Sequence, residues 1–79
     1  MKVSVRLFGH LKDYRPQNNK EFELELKEGS QLEDLVDELG IPRNELKYSL
    51  LLVNGNQVDL NKKLHNHDII SFASVIEGG

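Results

Sequence analysis

One segment limits the possible folds more than any other. Leu32, Leu35, Val36 and Leu39 recur at i, i+3, i+4 and i+7, which places four apolar side chains on one face of a helix. Ser30-Gln31-Leu32-Glu33 reads as a capping box in front of it, with Ser30 as the N-cap and Glu33 reaching back. Gly40 supplies a left-handed stop and Pro42 prevents continuation. No other stretch of the 79 residues carries a stripe of this length. Strand candidates surround it, so this single helix must cover one face of a sheet.

The first strand candidates follow from alternation with a period of two. Val3, Val5 and Leu7 alternate with Lys2, Ser4 and Arg6, and Phe22, Leu24 and Leu26 alternate with Glu21, Glu23, Glu25 and Lys27. Closeness in sequence predicts that these two strands form a hairpin. Between them His10 to Lys20, with Pro16 and Gln17-Asn18-Asn19, reads as a loop or short helical turn. Residues 43–49 read as one short turn of helix. Leu50 to Val53 is a continuous apolar run, as expected for a strand inside the sheet. Asn54-Gly55 then marks a hairpin, because both turn positions tolerate positive φ. Val58 and Leu60 suit a short return strand, and Ile69 to Phe72 a last strand. The expected fold is an α+β roll, a mixed sheet of four to five strands with one main helix packed across it. Its body spans residues 1–72, followed by a flexible tail over 73–79.

Composition narrows the function. A chain of this size buries only about 60% of its unfolded surface, too little for a substrate cavity and its supporting shell together, so a carrier, binding or subunit role is expected rather than an enzyme. Cysteine is absent, which excludes a disulfide scaffold, a thiolate zinc site and a cysteine nucleophile. His65 and His67 share a face if extended but have no third ligand in sight, so no metal site is expected. Residues 1–20 carry five basic side chains against Asp13, whereas residues 21–45 carry nine acids against Lys27 and Arg43. The acidic middle opposes a nucleic-acid role and suits a basic protein partner or plain solvation. No apolar run reaches the roughly 20 residues of a membrane span, and the start is too polar for a signal peptide. A cytoplasmic protein, monomeric when free, is expected.

The last two residues, Gly78 and Gly79, stand out: two adjacent glycines at that position arise by chance in roughly 0.5% of chains. A Gly-Gly end has no side chains, so it can enter a narrow channel and present an unhindered carboxylate. Activated as an acyl-adenylate, that carboxylate can receive sulfur or an amine, with the catalysis in a partner.

With this end and the hairpin Leu51-Leu52-Val53-Asn54-Gly55, the chain resembles the MoaD/ThiS family of sulfur carriers, which are ubiquitin-like β-grasp proteins. The likeness runs through Val5-Arg6-Leu7-Phe8-Gly9, Gly29-Ser30 at the helix start, the hairpin, Leu64 to Asp68 and the terminal glycines. It implies a cycle. An ATP-dependent, E1-like adenylating enzyme activates the Gly79 carboxylate, and a sulfur donor protein converts it to a thiocarboxylate. The tail then delivers sulfur inside a synthase. No cofactor is bound by the carrier; ATP is used by the activating partner. Arg6 to Lys12 is similar to the opening of the molybdopterin branch, whose carriers pair with the large subunit of molybdopterin synthase. The family's Pro-Pro before the tail is Ala73-Ser74 here, and its Gly-Asp before the last strand is His67-Asp68. A thiamine-thiazole carrier, a ubiquitin-like protein modifier and a non-covalent binding module are the alternatives. In the carrier reading Gly79 holds the adenylate and thiocarboxylate and Gly78 permits threading. Phe8, pointing opposite to Leu7, together with Leu60, Phe72, Val75, Ile76 and Glu77, makes the partner contacts.

Overall fold

The structure, a computed structural model, describes residues 1–74. Among these, strand β1 (Lys2–Leu7) is followed by 3₁₀ turns at Gly9–Tyr14 and Pro16–Asn18, then β2 (Glu21–Glu25) and helix α1 (Leu32–Leu39). A third 3₁₀ turn (Arg43–Tyr48) leads into β3 (Ser49–Val53), β4 (Asn56–Gln57) and β5 (Ile69–Ser74). The sheet order is β2-β1-β5-β3-β4. At its centre β1 and β5 run parallel, with Val5 opposite Ile70 and Leu7 opposite Phe72. β2 flanks β1 antiparallel, and β3 flanks β5 antiparallel. This is the expected α+β roll, a ubiquitin-like β-grasp.

Alternation sorts the side chains as the sequence predicts. Val3, Val5, Leu7, Ile70, Phe72 and Val53 turn inward and are buried against Leu32, Leu35 and Val36 of α1. Burying one such side chain contributes about 1.5–3 kcal/mol, so this one layer of contact holds sheet and helix together. Gly40 ends the helix at φ 73°, and the Ile41 N–H then reaches the Val36 carbonyl at 3.2 Å.

The start of α1 is displaced by one residue from the expected capping box. Gln31 is the N-cap, and the Asp34 carboxylate, not that of Glu33, reaches back to accept the Gln31 N–H at 2.7 Å. The cause is tertiary. The Ser30 carbonyl accepts the Leu64 N–H at 2.9 Å, while the Leu32 and Glu33 amides donate to the carbonyls of Lys62 (2.8 Å) and Leu60 (2.9 Å). Segment 60–64 therefore satisfies helix-terminal donors that a local cap would otherwise serve.

Three further differences bear on function. The return strand after the Asn54-Gly55 turn is Asn56–Gln57, so Val58 and Leu60 lie beyond it and pack on the core. β3 is not enclosed: only Leu52 and Val53 pair with β4, and Leu50, Leu51 and Leu52 are half-buried. The last strand runs two residues past its expected end, with Ala73 opposite Leu50 and Ser74 opposite Ser49. Ala73 and Ser74 thus belong to the sheet rather than to a tail.

Candidate functional site

α1 covers one face of the sheet and leaves the other open. On the β1–β2 half of the open face the outward side chains are charged and paired across the strands. Lys2 Nζ lies 3.8 Å from Glu23 Oε1, and Arg6 Nη2 lies 3.4 Å from Glu21 Oε2. Such exposed pairs contribute little to stability, but they keep this edge strand polar and unattractive to other strands.

The β5–β3 half is different. Phe72 and Leu51 turn inward, so Ala73 and Leu50, paired with each other, turn outward. Leu52 and Ile69 share that outward phase. Phe8, in extended conformation after inward Leu7, comes level with Ala73 and points to the same side. Phe8, Leu50 and Leu52 are only half-buried and lie outside the hydrophobic core, and Ile69 is 40% exposed. The result is an uncovered apolar patch of Phe8, Leu50, Leu52, Ile69 and Ala73, with Ser71 in its middle. Arranged on rigid strands, it suits a protein partner.

The sheet has two distinct ends. Where β5 begins, the polar groups are tied together. The Asp68 carboxylate accepts the His65 N–H at 2.8 Å and the Asn54 side-chain amide at 2.9 Å, and the Asn54 Oδ1 accepts the Ile69 N–H at 2.9 Å. His67 takes φ 71°, and its N–H donates to the Lys2 carbonyl at 2.7 Å. Both His65 and His67 are exposed, and no group of three metal-ligating side chains occurs among the described residues.

Where β5 finishes, the topology brings in both longer 3₁₀ turns, because Gly9–Tyr14 follows the parallel neighbour β1 and Arg43–Tyr48 precedes the antiparallel neighbour β3. His10 Nε2 donates to the Glu45 carbonyl at 2.8 Å, and its ring meets Tyr48 edge-on at 6.5 Å. Burial pushes the Tyr14 phenol above its ordinary value, and the Glu45 carboxylate beside it, which also accepts its hydrogen bond, and Asp13 push the same way. Here His10 Nδ1 and the hydroxyls of Ser49 and Ser74 are buried without a partner among the described residues.

The residues singled out from the sequence fall into three groups. Phe8 stands on the open face, as its phase requires. Phe72 and Leu60 do not: Phe72 is fully buried beneath α1, and Leu60 packs on the core beside the helix start. Phe72 is not presented to a partner, whereas Leu60 is only half-buried. Val75, Ile76, Glu77, Gly78 and Gly79 lie outside the described residues. Sequence reasoning overlooked Leu50, Leu52, Ile69 and Ala73. Alternation would have found them: Ile69 and Ala73 are out of phase with inward Phe72, and Leu50 and Leu52 are out of phase with Val53.

The acidic stretch also has a place. Glu25, Glu28, Asp34, Asp37 and Glu38 line an open groove between the end of β2 and α1, and the Met1 ammonium lies 3.6 Å from both Glu25 and Glu28.

The sequence matches the family described as Mut7-C ubiquitin over residues 1–76. No curated protein matches it in sequence. Among solved structures it is similar to a chain of the complex of subunits 1 and 2 of molybdopterin-converting factor from Helicobacter pylori, with 26% identity over all of both chains and a TM-score of 0.69. It is similar to a putative molybdopterin converting factor subunit 1 from Pyrococcus furiosus, with 23% identity over 95% of this chain and 98% of that one and a TM-score of 0.72. SAMP1 from Haloferax volcanii matches over the full length of both chains at 15% identity and a TM-score of 0.77.

Proposed function

The chain belongs to the Mut7-C ubiquitin family, and from that premise we propose that it is a sulfur carrier, the non-catalytic small partner in making a sulfur-containing cofactor of the molybdopterin type. The observation that carries this reading is the open apolar face of Phe8, Leu50, Leu52, Ile69 and Ala73. It lies on the strand whose continuation in sequence ends at Gly78-Gly79. A body docked by that face holds the root of residues 75–79 against the partner, so the reactive end need only span the remaining distance. Five extended residues reach at most about 16–18 Å. The likeness to a chain of the Helicobacter pylori subunit complex supports a larger synthase subunit as that partner.

In this reading the Gly79 carboxylate oxygen attacks the α-phosphorus of ATP in an E1-like adenylating enzyme, and pyrophosphate leaves. Sulfide-level sulfur delivered by a donor protein then attacks the carbonyl carbon and AMP leaves, so a thiocarboxylate remains. Gly78 keeps the approach free of side chains. Catalytic groups sit in the partners, and ATP is theirs.

The test is an intact mass of the chain isolated from its own host with nothing fused after Gly79. Exchange of one oxygen for sulfur, located at Gly79, is the expected result. A chain that continues past Gly79 overturns the proposal. So does one that stays unmodified with ATP, the host's activating enzyme and a sulfur source. Gly-Gly remnants on target lysines transfer the assignment to a protein modifier. Leu50→Asp should weaken capture by the larger subunit by about tenfold or more while leaving the fold intact, since a buried contact of this kind is worth over 1 kcal/mol.

A further inference from the structure

We propose that Asn54-Gly55 is a latent self-modification site, a deamidation point held closed by the hydrogen bonds that join Asn54 to Asp68 and Ile69. The dipeptide is the most reactive of its kind in a polypeptide. The following glycine leaves its backbone nitrogen unhindered, and that nitrogen can attack the Asn54 side-chain carbonyl carbon. A new C–N bond closes a five-membered imide, the bond to Nδ2 breaks, and Nδ2 leaves as ammonia with the proton given up by the Gly55 amide. Water then opens the ring at either carbonyl, giving Asp or isoAsp at position 54. Water is the only co-reactant.

The site is open to that water. Asn54 and Gly55 are exposed, and beyond its two chain neighbours no residue comes within 4 Å of where a Gly55 side chain would begin. Burial therefore does not protect it. The restraint is the side-chain geometry. Asn54 Nδ2 donates to Asp68 Oδ1 at 2.9 Å, and Oδ1 accepts the Ile69 N–H at 2.9 Å. Asp68 is itself buried and fixed through its other oxygen by the His65 N–H at 2.8 Å. Both ends of the Asn54 amide are thus engaged, and the backbone is set at φ 51°. Swinging Cγ towards the Gly55 nitrogen breaks both bonds.

The modification is also consequential. It replaces the amide donor with a carboxylate facing the Asp68 carboxylate, so an attractive contact becomes a like-charge one. The turn then separates from the first residue of β5, next to Ile69 on the apolar face. The event is irreversible, so it marks aged copies of the chain.

The full chain is held in warm, mildly alkaline buffer, native or in urea, and the Asn54 peptide is followed for the mass gain of replacing NH2 by OH. Native chain should react at least about tenfold more slowly than the unfolded chain, the effect of two hydrogen bonds that must open first. Asp68→Ala should recover several-fold of that rate. Asp68→Asn, which keeps shape and can still accept at Oδ1, should fall between. Circular dichroism establishes that each variant is folded. A native rate within about twofold of the unfolded one, or folded Asp68 variants reacting no faster than the parent, overturns the proposal.

Discussion

The two ends of strand β5 are built on opposite plans. At its start Asp68, Asn54, His65, Ile69 and Lys2 exchange hydrogen bonds until every named polar group has a partner. At its finish three buried polar atoms, His10 Nδ1, Ser49 Oγ and Ser74 Oγ, have none among the described residues. Burying a polar group without a partner costs free energy, so the second end is the less stable of the two. It is also the end from which residues 75–79 continue. The contrast teaches that hydrogen bonding is concentrated where β5 begins, and that its finish is short of partners among the described residues.

The largest expected effect tests the anchored end. Asp68→Ala strips acceptors from the His65 N–H and the Asn54 amide. It should lower unfolding stability by about 2 kcal/mol, since orphaned donors at a buried site cost about 1–3 kcal/mol. Urea denaturation measures it, and a change near zero would erase the distinction between the ends. The matching test at the other end has the opposite sign. Ser74→Ala removes a hydroxyl that makes no bond among the described residues, so stability should hold or rise by up to about 1 kcal/mol. A clear loss in the same urea experiment would mean that Ser74 is satisfied after all.

The difference between the ends was only half legible in the sequence. Features written in neighbouring residues could be read directly: the stripe Leu32-Leu35-Val36-Leu39, the Gly40 stop, and Asn54-Gly55 with φ of 51° and 84°. Features set by distant partners could not. The helix start moved to Gln31 because segment 60–64 took over its donors. The apolar run Leu50–Val53 looked enclosed, yet no second layer covers its outer face among the described residues. Ala73 and Ser74 carry no apolar alternation and become strand only because β3 lies beside them. Asp68 was legible only as a residue before the last strand, and its role follows from a bond to Asn54, 14 residues away. Of the candidate site, Phe8 was visible from its phase, whereas Phe72 turns inward, because phase alone does not say which face the helix takes.

A smaller effect sharpens the picture of the anchored end. His67 holds φ 71°, a conformation that costs a side-chain-bearing residue roughly 1–2 kcal/mol. Its N–H, not its ring, makes the contact to Lys2. His67→Gly should therefore stabilise by about 0.5–1 kcal/mol, less than the full strain because glycine also frees the unfolded chain. If thermal unfolding shows a loss instead, the imidazole contributes a contact of its own.

The finest test lies at the other end and turns on pH. Tyr14 is held above its ordinary value of 10.0 by burial and by Glu45. A group whose folded pKa exceeds its unfolded one binds its proton more tightly when folded, so its contribution is complete below pH 10.0 and fades as pH rises through the folded value. Tyr14→Phe should therefore be less stable than the parent at neutral pH. The gap should close in the alkaline range above 10.0, as the phenolate forms beside the Glu45 carboxylate and repels it. Urea midpoints of the two proteins across that range measure the gap. A gap that stays constant would detach Tyr14 from Glu45, and with it the link between the two 3₁₀ turns that frame the end of β5.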